Sequence, residues 1–260
     1  IRALPAGVTY AKFAAGFFFS LGIRSDGQLR AWGINNAGQC NVPALAPGLT
    51  YVSAAGGHNF TVAILSNGTI SAWGLNTEGQ LNVPALPPGV TYTQVAAGRA
   101  HAVALRSDGR IVAWGSNQFG EAQVPVLPPG VVITDIAANA EHSLAVRSDG
   151  LVAAWGRNTN GQINVPALPQ GLTYKKVAAG FSSSLAIRSD GSLVGWGDNS
   201  VNQITVPALP AGVAYTAVSA GAGHGVALRD DGVRLRCPFF RPAFSTPASP
   251  RAGSTRWPSA

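Results

Sequence analysis

A period of 41 residues runs through most of this 260-residue chain, and it constrains the fold more than any other feature of the sequence. Tryptophans recur at this spacing, as Trp32, Trp73, Trp114, Trp155 and Trp196. The same spacing separates the Asp-Gly or Asn-Gly pairs that begin at Asp26, Asn67, Asp108, Asp149, Asp190 and Asp231. Because these landmarks keep one period without insertion, the chain is a tandem array of one structural unit. The units start at residues 4, 45, 86, 127, 168 and 209.

One unit, residues 86–126, shows a pattern of short strands. β-Branched and apolar residues predict a first strand over 91–97, and alternating small and bulky residues predict a second over 101–106. A tight Asp-Gly hairpin leads to a third strand over 111–115, and a proline ends a short fourth strand over 122–124. Helix is excluded because each unit holds prolines and several glycines and lacks an amphipathic stretch. Four antiparallel strands per unit, repeated radially, predict an all-β propeller with four-stranded blades.

The two ends of the sequence depart from the pattern of complete units. The repeat predicts one propeller domain over residues 1–232, which starts inside a closing segment because residues 1–4 occupy the register of residues 42–45. Residues 233–260 form a tail rich in Pro and Arg without strand patterning, and Cys237 stands where a sixth repeated tryptophan would fall. We therefore predict that the tail is read out of frame and is disordered, and that these units are part of a larger ring.

Composition and charge exclude several classes of partner. The chain is 46% hydrophobic and 11% charged, which allows a large core without metals or disulfides. No apolar run approaches the roughly 18 residues that cross a bilayer, so we expect no membrane partner. The net charge is +7, but much of the excess lies in the arginines of the tail and no basic run of five residues exists. Nucleic acid is therefore not expected as a partner.

The sequence carries no pattern that calls for an enzyme, a cofactor or a metal. It has no nucleophile elbow, no paired catalytic carboxylate motif and no His-Glu zinc motif. His101, His142 and His224 share one register without converging partners, which favours half-buried side chains bonded to the backbone over a metal site or general base. The repeated turn aspartates are interpreted as turn formers, and the repeated tryptophans as side chains that fill the space between blades.

Several motifs keep their register over five full units. They are Ala-Ala-Gly-x-x-His at 96–101, Arg-Ser-Asp-Gly at 106–109, Ala-Trp-Gly-x-Asn at 113–117 and Gly-Gln at 79–80. In these motifs the chain resembles the regulator of chromosome condensation repeat family from residue 4 to about 232. The resemblance implies a seven-bladed propeller, of which this chain would form part. It also implies either a guanine nucleotide exchange factor for a small GTPase or a general interaction domain.

The unit endings distinguish this chain within that resemblance. Asn-Val-Pro-Ala stands at 41–44, 82–85 and 164–167, where the family has a glycine-rich motif. Such endings look like those of bacterial members, which include a secreted propeller that inhibits β-lactamases. That similarity implies a place outside or on the surface of a bacterial cell rather than in the cytoplasm, and inhibition of an enzyme as a third function.

The function that we expect is a non-enzymatic, monomeric scaffold that binds a protein. Exchange factors of the family insert a wedge into their GTPase, whereas these units hold a strict spacing with no insertion. In a four-stranded meander, the loops between the first and second strands and between the third and fourth strands emerge on one rim, and these loops vary between units. Varied residues on a rigid scaffold suit a partner surface, although drift on unconstrained loops would also produce them. The predicted partner-binding residues are Phe17, Phe18, His58, Glu78, Arg99, Phe119, Glu141, Arg157 and Phe181.

Overall fold

The computed structural model describes residues 4–232 and 234–236, and these residues form six antiparallel sheets of three strands each. The strands are, in chain order, β1 (Tyr10–Ala15), β2 (Phe19–Arg24), β3 (Leu29–Gly33), β4 (Tyr51–Gly56), β5 (Phe60–Leu65), β6 (Ile70–Gly74), β7 (Tyr92–Ala97), β8 (His101–Arg106), β9 (Ile111–Gly115), β10 (Ile133–Asn139), β11 (His142–Arg147), β12 (Val152–Gly156), β13 (Tyr174–Ala179), β14 (Ser183–Arg188), β15 (Leu193–Gly197), β16 (Tyr215–Ala220), β17 (Gly225–Arg229) and β18 (Arg234–Arg236). No helix that could span a membrane occurs in this part of the chain.

The middle strand of each sheet carries most of the core. In β8, Ala102, Val103 and Ala104 have no exposed surface, and all six residues of β5 are buried. Both faces of β5 and β8 are buried because the sheets of these strands each pack between two neighbouring sheets. The bounds predicted for the second and third strands of the unit at 86–126 are confirmed, and the first strand begins one residue later than predicted.

The fourth strand predicted over residues 122–124 is wrong. The Ala122 N–H donates to Oδ1 of Asn117 (3.2 Å) and the Gln123 N–H donates to the Gly120 carbonyl (3.0 Å), so these backbone donors are used inside the loop. The same asparagine bond recurs in other units, for example from the Leu81 N–H to Oδ1 of Asn76 (2.8 Å). A segment whose donors are occupied locally, and which a proline follows, does not extend a ladder.

Adjacent sheets are joined by the repeated tryptophans, as predicted. The indole N–H of Trp73 donates to the Gln39 carbonyl of the preceding unit (2.9 Å), and that of Trp114 donates to the Gln80 carbonyl (2.9 Å). Trp155 and Trp196 repeat the bond. Each large ring therefore fills the space between two sheets while its polar edge is satisfied.

The strand at 234–236 pairs with β17, so the sixth unit continues past residue 232, where the sequence analysis ended the repeat. The remainder of the predicted tail, at 233 and 237–260, and residues 1–3 lie outside the described residues. The described units form six sheets, and the expected seven-blade count has no counterpart in them.

Candidate functional site

The hairpin turns between the second and third strands form one rim, which we call the turn rim. Five of the described turns bond to the next unit: the Tyr51 N–H donates to the Gly27 carbonyl (2.8 Å), and the bond recurs four times along the chain. Gly27 has a φ of 77°, and a Cβ at this position would lie 2.5 Å from the Cβ of Thr50. Both the left-handed backbone conformation and the close contact therefore require glycine. Arg24 pairs with Asp26 beside the turn, and the Asp26 carboxylate also accepts the Gln28 N–H (3.2 Å).

The opposite rim, which we call the loop rim, holds the loops that follow the first and third strands. The first loops of neighbouring units are bonded through their backbones. The Phe17 N–H donates to the Gly57 carbonyl (3.1 Å), the His58 N–H to the Arg99 carbonyl (3.1 Å) and the Phe181 N–H to that of Gly221 (3.2 Å). These bonds hold the varied side chains of the loop rim on a rigid base.

Three aromatic side chains of the first two units form an aromatic cluster on the loop rim. The rings of Phe17 and Phe18 meet edge to face with centroids 4.6 Å apart, and the His58 ring lies 4.6 Å from that of Phe17. Phe17 and Phe18 are nevertheless 44% and 59% exposed. Partial burial, and then the Arg99 guanidinium, lower the pKa of His58, so this ring is neutral at physiological pH. The cluster is therefore an uncharged aromatic surface that faces solvent.

Four side chains of the third and fourth units form a charged cluster beside it. Glu141 accepts bonds from Arg99 through Oε1 (3.2 Å) and from Arg157 through Oε2 (2.6 Å). The Arg157 guanidinium carbon lies 4.9 Å from the centroid of the Phe119 ring, within the range of a cation–π contact. Phe119 is 38% exposed, so one aromatic side chain faces solvent here as well.

A polar pocket of about 280 Å³ lies between the two clusters. Its walls include His58, Glu78, Arg99, Glu121 and Glu141. A second, wider cavity of about 820 Å³ follows the first strands of all six sheets and is lined mainly by Ala and Gly. Its lining also includes the aromatic cluster, Arg99 and Phe181, which is 41% exposed.

The structure thus brings the nine predicted residues to one rim. Phe17, Phe18 and His58 touch in the aromatic cluster, and Arg99, Phe119, Glu141 and Arg157 touch in the charged cluster. Glu78 belongs to the polar pocket, and Phe181 stands apart from both clusters beside the wider cavity. That these residues bind a partner stays a prediction.

The interpretation of the repeated histidines needs correction for two of the three, since His224 is half-buried as predicted. His101 and His142 are fully buried, not half-buried, and their bonds go to side chains of the next unit rather than to the backbone. Nε2 of His101 lies 2.8 Å from Oγ of Ser143, and Nε2 of His142 lies 3.0 Å from Oγ of Ser184. Burial lowers the pKa of His101 to about 3 and that of His142 to about 4. These histidines are neutral parts of the core, because the space between sheets excludes water.

The sequence analysis did not single out Glu121. Four other units hold Gln39, Gln80, Gln162 and Gln203 in the register of this residue, and all five side chains are buried. An alignment of the units would have shown the single change from amide to carboxylate. In the described part of the chain, no group of three or more His, Cys, Asp or Glu side chains is placed to hold a metal ion.

Comparison with known proteins gives one family and a set of similar folds. The regulator of chromosome condensation (RCC1) repeat matches residues 10–39, 51–80, 92–121, 133–162 and 174–203, which together exceed half of the chain. No curated protein sequence matches significantly.

Three similar solved structures come from different kingdoms. Prp20p of Saccharomyces cerevisiae superposes with a TM-score of 0.73 at 22% identity, over 86% of this chain and 70% of that protein. Human WBSCR16 gives 0.75 at 17% identity, over 90% and 78%. The ectodomain of the Arabidopsis thaliana receptor kinase ACR4 gives 0.67 at 19% identity, over 89% and 80%. At these identities the likeness concerns the fold.

Proposed function

This chain belongs to the regulator of chromosome condensation (RCC1) repeat family, and from that premise we propose that it is a non-enzymatic scaffold whose loop rim binds a protein partner. Members of one repeat family share a framework, whereas function depends on the side chains that the framework presents. The loops of this chain therefore carry the argument.

The observation that carries the proposal is the pair of clusters on the loop rim. Phe18 and Phe119 are large rings that face solvent at two places on one rim, and charged or polar side chains lie between them. Exposed aromatic rings supply much of the binding free energy at protein interfaces, and polar neighbours supply specificity. The backbone bonds between loops keep this surface ordered before a partner arrives, which reduces the entropy lost on binding.

The turn rim offers a weaker surface for a partner. Four of its arginines are paired with the turn aspartates two residues later, as in the pairs of Arg106 with Asp108 and Arg147 with Asp149. Its backbone bonds join neighbouring units. A rim on which most charges are paired and whose turns are nearly alike in every unit suits folding better than recognition.

The similar structures are compatible with this proposal at the level of the fold. Yeast Prp20p is described together with its binding properties to Gsp1p and histones, and also in a complex with Kap60. One protein of this architecture thus binds other proteins. The identity of a partner for this chain does not follow from theirs.

The proposal is tested by photo-crosslinking followed by affinity measurement. A photoreactive phenylalanine analogue replaces Phe119 or Phe181 on the loop rim, and in a matched pair of variants it replaces Arg110 or Ser192 on the turn rim. We expect a specific adduct with a protein of the source cell from the loop rim. The crosslinked protein, once purified, should bind the unmodified chain saturably.

Point variants then locate the binding surface. Phe17→Ala, Phe119→Ala and Phe181→Ala should each weaken binding about tenfold, because each removes an exposed ring. Arg106→Ala and Arg147→Ala on the turn rim are the controls and should bind normally. Undiminished binding by all three phenylalanine variants, with loss in the arginine variants, would place the site on the turn rim instead.

Nucleotide exchange is the alternative that the family suggests. It would be supported if the purified chain accelerated release of labelled nucleotide from a small GTPase. The strict spacing of the five matched units leaves no insertion among them to serve as a wedge. A monomeric state and a place outside a bacterial cell stay predictions.

A further inference from the structure

Glu121 breaks the pattern of its register in a way that changes hydrogen-bonding capacity. In the first unit, the Gln39 side chain donates through Nε2 to Oδ1 of Asn59 in the next unit (3.3 Å). In the third unit, Glu121 replaces the glutamine and Glu141 occupies the register of Asn59. The carboxylates of Glu121 and Glu141 only accept hydrogen bonds, whereas in the first unit the amide of Gln39 donates to Asn59. The direct bond between units is lost at this place.

The bonds that Glu121 makes leave one of its oxygens poorly satisfied. Oε2 accepts the Phe119 N–H at 2.7 Å, as the amide oxygens of the other units accept the equivalent N–H. Oε1 has only the Ser116 hydroxyl at 3.4 Å, which is longer than an ordinary O–H···O bond. The residue is 1% exposed, and no Lys or Arg among residues 4–232 forms an ion pair with it. A buried carboxylate without a cation is costly.

The surroundings of Glu121 would accept a cation from outside. Glu121 lines the polar pocket of about 280 Å³ together with Glu78 and Glu141, against a single arginine, Arg99. Glu141 already forms ion pairs with Arg99 and Arg157, and this group of three side chains has a net charge of +1. Glu78 and Glu121 add two negative charges, so the pocket and its ion pairs carry a net charge of −1. The side chain of Leu75 supplies an apolar wall on which the stem of a long basic side chain can pack.

We propose that the polar pocket receives an arginine side chain of the protein partner, with the guanidinium bound between Glu121 and Glu78. This inference rests on the proposed function and specifies the chemistry that the partner presents. A guanidinium is planar and has five N–H donors, so it can donate to more than one carboxylate of the pocket at once. The aromatic cluster and Phe119 then contact the apolar residues that flank the arginine.

The decisive variant is Glu121→Gln, which restores the residue of the other units. It should raise the urea midpoint of the protein, since it removes a buried charge, and it should weaken binding of an arginine side chain about tenfold. Loss of binding with a gain in stability cannot come from misfolding. Gln162→Glu is the matched control, because it places a carboxylate in the same register at a residue that does not line the pocket.

The probe is a capped, fluorescent pentapeptide with Arg between two Phe. A control peptide carries citrulline in place of Arg. Citrulline keeps the shape and removes the charge. In fluorescence anisotropy we expect the arginine peptide to bind about tenfold more tightly than the citrulline peptide to the unmodified chain. With Glu121→Gln the difference should largely disappear, and with Gln162→Glu it should persist.

The outcomes separate this inference from the proposed function. If Phe119→Ala weakens both peptides equally while Glu121→Gln changes neither, the loop rim binds a partner and the arginine pocket is refuted. If neither variant affects binding, or if the arginine peptide shows no saturable binding at millimolar concentration, the inference fails. The crosslinking experiment then decides the proposed function alone. A lysine peptide that binds as tightly as the arginine peptide would overturn the assignment to a guanidinium.

Discussion

At the scale of single residues, the buried histidines show how one register takes different side chains. Phe19 and Phe60 occupy this position in the first two units, and His101 and His142 occupy it in the next two. Gly98 makes room for the imidazole, since a Cβ there would lie 2.1 Å from the His101 ring. A histidine in a space that also fits phenylalanine is held neutral, because no water and no acid reach it.

The histidines predict acid sensitivity. Both pKa values lie below the ordinary 6.5 of histidine, at about 3 and about 4, so the unfolded chain binds protons that the folded chain does not. Stability is therefore complete above pH 6.5 and falls as the pH is lowered towards the folded values. Between pH 6.5 and 5 each histidine should lower the free energy of unfolding by about 1–2 kcal/mol. Urea titrations across this range measure the loss.

The second unit provides the control for this prediction. The double variant His101→Phe with Ser143→Ala reproduces in the third and fourth units the pairing of Phe60 with Ala102. In this variant the free energy of unfolding should fall less between pH 6.5 and 5, because the contribution of His101 is removed. The contributions of the other titrating groups remain. An unchanged fall in stability between pH 6.5 and 5 would show that His101 is not its source.

At the scale of the element, the hydrogen bonds inside the loop after the third strand limit each sheet to three strands. Asn76→Ala removes the acceptor for the Leu81 N–H, a bond of 2.8 Å that orders this loop. We expect a loss of about 0.5–1.5 kcal/mol in the free energy of unfolding, because the variant loses an exposed bond for which water is a partial substitute. Thr77→Ala, at the neighbouring exposed residue, is the control and should be nearly neutral. Urea denaturation compares the two, and equal effects would contradict the role given to Asn76.

The sequence predicted the strands in which burial decides the structure. Alternating small and bulky residues set β8, and the run ending in Trp114 set β9, because both depend on apolar side chains that any pattern search detects. The segment at 122–124 failed because its apolar residues resemble a strand, while the Asn117 side chain takes the backbone donor. Competition between a side chain and a ladder partner depends on geometry that a sequence pattern does not contain.

At the scale of the whole molecule, the tryptophan bonds determine how firmly one unit holds the next. Trp114→Phe removes the N–H that the Gln80 carbonyl accepts and leaves that buried carbonyl unsatisfied. The free energy of unfolding should fall by about 2–4 kcal/mol from the lost bond and the smaller ring. Because repeat arrays depend on contacts between neighbours, the first and second units should then separate from the rest at lower urea.

Trp32 offers the matched substitution. Its indole N–H donates to no carbonyl within residues 4–232, and its side chain is only partly buried. Trp32→Phe should therefore cost less than half as much as Trp114→Phe in the same denaturation experiment. Similar losses for both variants would show that ring volume, and not the bond between units, carries the effect.

The candidate site was predictable as a surface and not as a set of contacts. Variation among the loops identified the rim on which Phe17, Phe119 and Glu141 lie, because loops free of a folding role vary first. The contact of Phe17 with His58, and the link from Arg99 to Arg157 through Glu141, each join different units. Such contacts depend on the rotation between neighbouring sheets, and the spacing of a sequence repeat does not specify that rotation.

The bonds that join each unit to the next give the array a fixed order. His101 meets Ser143, and His142 meets Ser184, so each imidazole finds a hydroxyl only in the unit that follows it. Exchanging the second and third units would separate Arg99 from Glu141 and put His58, which holds the same register, in the place of Arg99, so the ion pair between these units would be lost. Although the copies share a period and most of their residues, they are therefore not interchangeable. The order of the copies along the chain is therefore part of what the sequence encodes.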